Sequence, residues 1–467
     1  AFGATVLSSS GAADIFLTKY DSAGNVVWAK KAGGTADDFG NAIAMDVSGN
    51  VYITGYFLST NANFSGTILT NLGSADIFVA KYNSAGTLLW AKLAGGNGYD
   101  AGNGIAVDSA GNSYVTGFFY STSANFGNIT LTNNGQNNIF VAKYDSAGNV
   151  LWAKQAGGTS FDMGFAIAAD AAGNSYITGN FFSPTAAFGG GITLTNTGEN
   201  DVFVAKYDPS GNPLWARQVK GASDDFGYGI VVDAAGNSYV NGTFQSAIAT
   251  FATGITLTNG GYNDIFIAKY NSVGTALWAK KAGGSSDEYA YAMAIDANTN
   301  LYLTGNFYST NANFGGITLT NTGGHEIFLA RYTSAGNVVW VKQAGGSSFE
   351  TGNGVGVDVG GNSYLTGYFS PTNVNFSGIL ITNAGAKDIF AAKLDGDPPT
   401  LNSTRSGNKL ILNWPTNQLD FILEGTSVLS SFSDSAWFSV TNRPVIVGSQ
   451  NVVTNNLPGN VFFRLRK

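Results

Sequence analysis

Tryptophan recurs at positions 28, 90, 152, 215, 278 and 340, a spacing of 62 or 63 residues. Self-similarity at that period marks a repeat architecture, in which one supersecondary unit is copied and each copy is buried by its neighbours. A chain built this way folds as a stack or a ring of equivalent units. Comparing the copies also shows which positions every unit needs.

One copy reads "GNGIAVDSAGN", "SYVTGFFYSTSANFGNITLTNNGQN", "NIFVAKYDSAGN" and "VLWAKQAGG". Ile105 to Asp108, Tyr114 to Phe119, Ile139 to Tyr144 and Val150 to Lys154 are short, β-branched or aromatic runs bounded by turn residues, which predicts four strands, a to d. Strands a and b are joined by "DSAGN", as are c and d in most copies. Asp opens such a turn by accepting bonds from its own backbone, and Gly takes the position of positive φ, so both links are tight hairpins. Four antiparallel strands in a row form the blade of a β-propeller. The composition agrees: 63 Gly, 13% aromatic and only 11% charged residues in 467 suit an all-β chain with a real core.

A blade needs about 40 to 45 residues, which leaves roughly 20 extra in each unit. They lie between b and c, as in "YSTNANFGGITLTNTGG", carry a Phe (2, 64, 126, 188, 251, 314, 376) and read as an added strand or hairpin. The a–b and c–d turns then share one trimmed face, while the insertions and the d–a crossings share an elaborated one.

Strand c occurs seven times, beginning near Ile15, Ile77, Ile139, Val202, Ile265, Ile327 and Ile389, whereas complete a, b and d strands occur six times. Propellers close by building one blade from both chain ends, which removes the open sheet edges. Seven blades are expected, the first truncated or completed by another chain, with six as the alternative count. The propeller is expected over 1–395. "DPPT" marks a linker at 396–400, and "KLILNWP", "DFILEGT", "AWFSV", "PVIVGSQNVVT" and "VFFRLRK" predict a small β-sandwich over 401–467.

The motif GxAIAVDxxGNxYVTGxF…DIFVAKYDxxGNxLWAKxAGG resembles the bacterial seven-bladed β-propeller repeat family, the SBBP repeats, over about residues 1 to 395; "GIAVDSAGNSYVTG" is also similar to the NHL repeat. "LILNWP", "FILEGTSVL" and "FFRLRK" resemble an immunoglobulin-like or fibronectin-like module found at the ends of exported proteins of environmental bacteria. These resemblances imply a secreted or surface-attached bacterial protein with a binding or scaffolding role and an anchoring or sorting tail. They bring no catalytic residues.

Several function classes recede on composition. A net charge of −7 without a basic stripe disfavours nucleic acid. No apolar run reaches the roughly 18 residues of a membrane span. With no Cys and one His, thiolate and multi-His metal sites are excluded, and a catalytic triad would have to be built around His325, which occupies a position of variable, exposed-turn character. "GNGIAVD" at 102 precedes a strand and lacks the helix a dinucleotide loop needs, and "DSAGN" lacks alternating calcium ligands. No cofactor and no metal site is expected.

The candidate site is a ring of acids, one eight residues before the Asp ending each strand a: Asp38, Asp100, Asp162, Asp225, Glu288 and Glu350. In the d–a crossings they could hold a cation or polar ligand at a channel mouth; the structural reading is that each caps a Gly-rich crossing or pairs with the next blade. Cations recur on strand c (Lys19, Lys81, Lys143, Lys206, Lys269, Arg331, Lys393) and strand d (Lys30, Lys92, Lys154, Arg217, Lys280, Lys342). Pairing or edge-blunting accounts for them better than a basic ligand surface. The repeated Trp residues read as inter-blade anchors rather than sugar platforms. The leading expectation is therefore a non-enzymatic module that binds through its b–c insertions, with a cell-surface or matrix partner, a second copy or a polysaccharide as the partner classes. The alternatives are a self-assembling subunit completed by strand exchange and a carbohydrate-active enzyme using the acid pairs at 37, 224 and 287.

Overall fold

The computed structural model describes residues 1–370, 373–396, 401–406, 409–415, 421–426, 438–440, 444–447, 450–456 and 462–466. It resolves into two compact units, 1–355 with 365–390, and 356–364 with 391–467.

In the first unit the expected four-stranded meander is present in five complete blades. Blade 2 has strands a (Asp100–Val107), b (Ser113–Phe119), c (Asn138–Tyr144) and d (Val150–Ala156), paired antiparallel in that order. Blades 1, 3, 4 and 5 begin at Asp38, Asp162, Asp225 and Glu288. A c–d pair (Ile15–Tyr20, Val26–Gly33) precedes them, and strands at Glu350–Val357, Ser363–Phe369 and Asp388–Leu394 follow in a, b, c order.

Strand a starts five residues earlier than its apolar run predicts. The Gly-rich segment before Ile105 can pair because Gly117 lets the strands close up: a Cβ there would lie 1.9 Å from the Ala101 carbonyl oxygen. The register slips by one residue at Thr116/Gly117, a bulge repeated at the same place in blades 1, 3, 4 and 5. Propensity did not disclose this extension, because glycine is a poor strand former whose use here is steric.

The insertions are hairpins, as expected, but they do not stay with their own blade. Ser123–Phe126 of blade 2 pairs with the end of blade 1's strand d, Ala124 opposite Gly96 and Phe126 opposite Ala94, so blade 1 becomes part of a six-stranded sheet. The hairpin of blade 1 does the same to Val26–Gly33, and bridges Gly157 to Ala187, Lys220 to Thr250, Gly283 to Asn313 and Gly345 to Asn375 continue the pattern. The repeated insertion Phe is a core residue: Phe126 is fully buried, with its ring 4.8 Å from Phe140 of strand c.

The repeated Trp likewise joins blades. Trp90 Nε1 donates to Ser146 O, and Trp152, Trp215 and Trp28 make the same bond to Pro209, Ser272 and Ser84 in the following c–d turn. Gly148, with φ +81°, lies flat on the Trp90 ring, where a Cβ would meet Cδ2 at 2.8 Å. Strand-b tyrosines repeat the logic on the a–b turns: Tyr114 Oη donates to Gly173 O of the next blade and to Asp108 of its own.

In the second unit, Asn402–Ser406, Lys409–Pro415, Gln450–Asn456 and Val445–Val447 form one antiparallel sheet, and Phe438–Ser439, Ile422–Thr426 and Phe462–Arg466 another. Leu412, Trp414, Leu423 and Val453 make their common core. Of the expected linker, residues 397–400 lie outside the described residues.

Candidate functional site: junction carboxylates and a repeat-breaking aromatic face

The six candidate acids are the first residues of their strands a, not members of the crossings as expected, and all are buried, at 0 or 1% exposure. Asp100 shows why. Its Oδ2 accepts from Gly96 N at 2.8 Å and from Ser121 Oγ at 2.6 Å; its Oδ1 accepts from Tyr120 N at 2.9 Å and Ser121 N at 3.0 Å. One carboxylate thus ties the d–a crossing to the start of its own b–c insertion. Asp38 with Ser59, Asp162 with Ser183, Asp225 with Ser246 and Glu288 with Ser309 repeat the arrangement, while Glu350 accepts from Gly346 N. Five of the six thus bond to the insertion, and Glu350 bonds to the crossing.

Each cap has a second polar residue beside it at the start of strand c in the preceding blade: Asp14, just before its strand and with a side chain 4% exposed, and the buried Asp76, Asn138, Asp201, Asp264 and Glu326. Strand d supplies it with a partner at a fixed position. Lys31 pairs with Asp14 at 3.3 Å, Lys281 with Asp264 at 2.9 Å, and Gln343 donates to Glu326 at 2.8 Å. In blade 1 that position is Leu93, opposite Phe78 in the ladder as Lys281 is opposite Phe266. Asp76 is fully buried and its Oδ1 has no partner. Burial, aided by the charge of Asp100, pushes its pKa up to about 6. Burial likewise raises Asp225 to about 7 and Glu350 to about 6.

The repeated cations are inter-blade latches. Lys81 Nζ lies 4.7 Å from the centre of the Tyr52 ring and donates to Ser146 O of the next blade; Lys206 does the same over Tyr176 and to Ser272 O. On strand d, Arg217 donates to Gly274 O and Val273 O.

Recurrence therefore traces structure, and departures from it are where function is to be sought. Three residues after the cap, blades 1 and 2 carry Asn41 and Asn103, which donate to Gly102 O and Gly164 O of the next blade. Blades 3, 4 and 5 carry Phe165, Tyr228 and Tyr291 instead, half-buried rings 5.5 and 5.7 Å apart in sequence across two blade boundaries. Phe226 and Tyr289 stack on Tyr228 and Tyr291 at 6.0 and 5.8 Å. Strand b changes in the same blades: Tyr56 and Phe118 give way to Asn180, Thr243 and Asn306. Asn200 Nδ2 donates to Asp224 Oδ1 at 2.6 Å, and Asn263 Nδ2 donates to Asp287 Oδ1 at 2.7 Å and to Tyr289 Oη at 3.1 Å. The carbonyl oxygens of Asn180 and Asn306, residues 4 and 1% exposed, have no partner. His325 is not in an exposed turn: it is half-buried between Tyr308, 4.8 Å away, and Phe349, 4.3 Å away, and burial lowers its pKa, favouring the neutral ring. Aligning the copies would have disclosed this patch, had differences between them been weighed as heavily as agreements.

The SBBP beta-propeller repeat family matches residues 27–65 and 89–127. Each match runs from strand d through a and b of the next blade into its insertion, the segment that the caps, Trp anchors and exchanged hairpins bind together. The chain is a β-propeller repeat protein. This propeller is 26% identical over 451 residues, 80% of its length, to an uncharacterized WD repeat-containing protein of Acanthamoeba polyphaga mimivirus, and spans 32% of that relative. It is also 26% identical over 142 residues to the regulatory protein FlaEY of Caulobacter vibrioides, covering 30% of this chain and 15% of that one. Among solved structures, a gluconolactonase of Xanthomonas campestris shares 10% identity at a TM-score of 0.34, over 70% of this chain and 83% of that one. The Pan2 WD40 domain of Neurospora crassa shares 11% at 0.32, over 70% and 85%.

Proposed function

We propose that this propeller is a non-enzymatic binding module of an exported bacterial protein, displayed at the cell surface or in the extracellular matrix, with the C-terminal unit as an immunoglobulin-like anchoring or sorting element. Its ligand face is the patch on blades 3 to 5. The insertion hairpins, the first choice from the sequence, are the weaker candidate because their Phe residues and one strand are engaged in joining blades. The observation that carries the reading is the break in repeat symmetry: aromatic rings replace latch asparagines in three adjacent blades and nowhere else among the described copies. Rings kept half-exposed beside polar groups are what a recognition surface needs, since they combine a large contact area with few rotatable bonds.

The test is retention on washed envelopes and extracellular matrix of a producing bacterium. Wild-type protein sediments with this material, and the Tyr228→Ala/Tyr291→Ala double variant, checked for an unchanged circular dichroism spectrum, stays in the supernatant. Equal retention of the two would move the ligand face elsewhere; absence of wild-type retention would overturn the binding reading.

A further inference from the structure

Resting on that reading, we propose that the face of blades 3 to 5 binds a neutral carbohydrate chain, whose C–H faces lie on Phe165, Tyr228 and Tyr291 and whose hydroxyls bond to the Asn200–Asp224 and Asn263–Asp287 pairs. Its chemistry is mixed in a particular way. Three rings from three blades run side by side in steps of 5.5 and 5.7 Å, which favours an extended ligand over a compact one. Beside them stand amides, which both donate and accept, and carboxylates, which accept. Asn306 lies directly opposite Tyr289 in the strand ladder, so the unpartnered amide oxygen and the ring share one side of the sheet.

Other partner classes fit worse. An apolar protein surface would leave the remaining hydrogen-bonding capacity of the half-buried Asn200–Asp224 and Asn263–Asp287 pairs unmet. An anionic polymer would approach Asp224 and Asp287 on a chain of net charge −7. A cationic peptide would compete for carboxylate oxygens that already accept from Asn200 and Asn263. A polyhydroxylated neutral chain offers donors to the half-buried carboxylates and acceptors to the amides beside them, with an apolar face left for the rings.

Affinity gel electrophoresis of the full chain against dextran, galactomannan and mixed-linkage β-glucan, with alginate as the acidic comparison, tests this. Retardation by at least one neutral polysaccharide and not by alginate is expected, with affinity falling tenfold or more in Tyr228→Ala and in Tyr291→Ala, and unchanged in Thr130→Ala on an insertion hairpin. If a ring variant unfolds, Asn263→Ala carries the test with the same expected loss. No retardation by any neutral polysaccharide, or retardation that survives these substitutions in folded protein, overturns the proposal. Matrix retention that still depends on Tyr228 and Tyr291 would then leave the binding reading standing with a non-carbohydrate partner. Release of new reducing ends during the assay would instead mark an enzyme.

Discussion

At the scale of single residues, Asp76 is the informative one. Its counterparts face Lys, Gln or, in Asn138, carry no charge, whereas Asp76 faces Leu93 and a second acid. With a folded pKa of about 6 against 3.8 when unfolded, the folded state holds the proton more tightly. Stability therefore falls as pH rises from about 4 to 6 and levels off above, by at most about 3 kcal/mol from this group. Asp76→Asn, which copies the blade 2 junction, is expected to raise the denaturant midpoint at pH 8 and to leave it nearly unchanged at pH 4; an equal effect at both pH values would show that the carboxyl is not the source. Gly148 marks a different constraint. Gly148→Ala combines a positive φ with a Cβ against the Trp90 ring, and should cost about 2 kcal/mol or more, read as a lower thermal midpoint.

At the scale of elements, the exchanged hairpin changes which blade a mutation harms. Sequence order assigns Ser123–Phe126 to blade 2, yet its ladder partner is strand d of blade 1. Replacing residues 122–133 by a short turn should therefore speed amide hydrogen exchange at Ala94–Gly96 more than in strands a and b of blade 2. Faster exchange confined to blade 2 would contradict the pairing. The hairpin itself was legible from "GNITLTNNG" because turn chemistry is local. Its partner was not, since a strand's apolar alternation states which side is buried and leaves open whose edge it joins.

At the scale of the whole molecule, two sets of acids oppose each other. Asp76, Asp225 and Glu350, raised by burial, weaken the fold as pH climbs toward 7. In the a–b turns, Asp46, Asp170 and Asp233 are also disfavoured by partial burial, but the bonds from Asn50, Asn174 and Asn237 outweigh it and hold them below the usual range. That stability is present above about pH 4 and lost as pH falls through their lowered values. Chemical denaturation from pH 2 to 9 should give a stability maximum on the acid side of neutrality, near pH 4 to 6. A maximum above pH 7 would mean that the junction acids stay charged at little cost.

By itself, the sequence determined the period, the four strands of the blade, the tight Asp–Gly turns and the anchoring role of Trp, because each depends on neighbours in the chain or on recurrence between copies. It also contained both readings of the six acids without deciding between them. Tertiary structure brings Asp100 within bonding distance of both Gly96, four residues before it, and Ser121, twenty-one residues after it, the geometry of a cap. It also assigned the hairpins to neighbouring blades and gathered Phe165, Tyr228 and Tyr291 onto one face. Those three lie 63 residues apart from one to the next, and only the packing of blade on blade makes them adjacent.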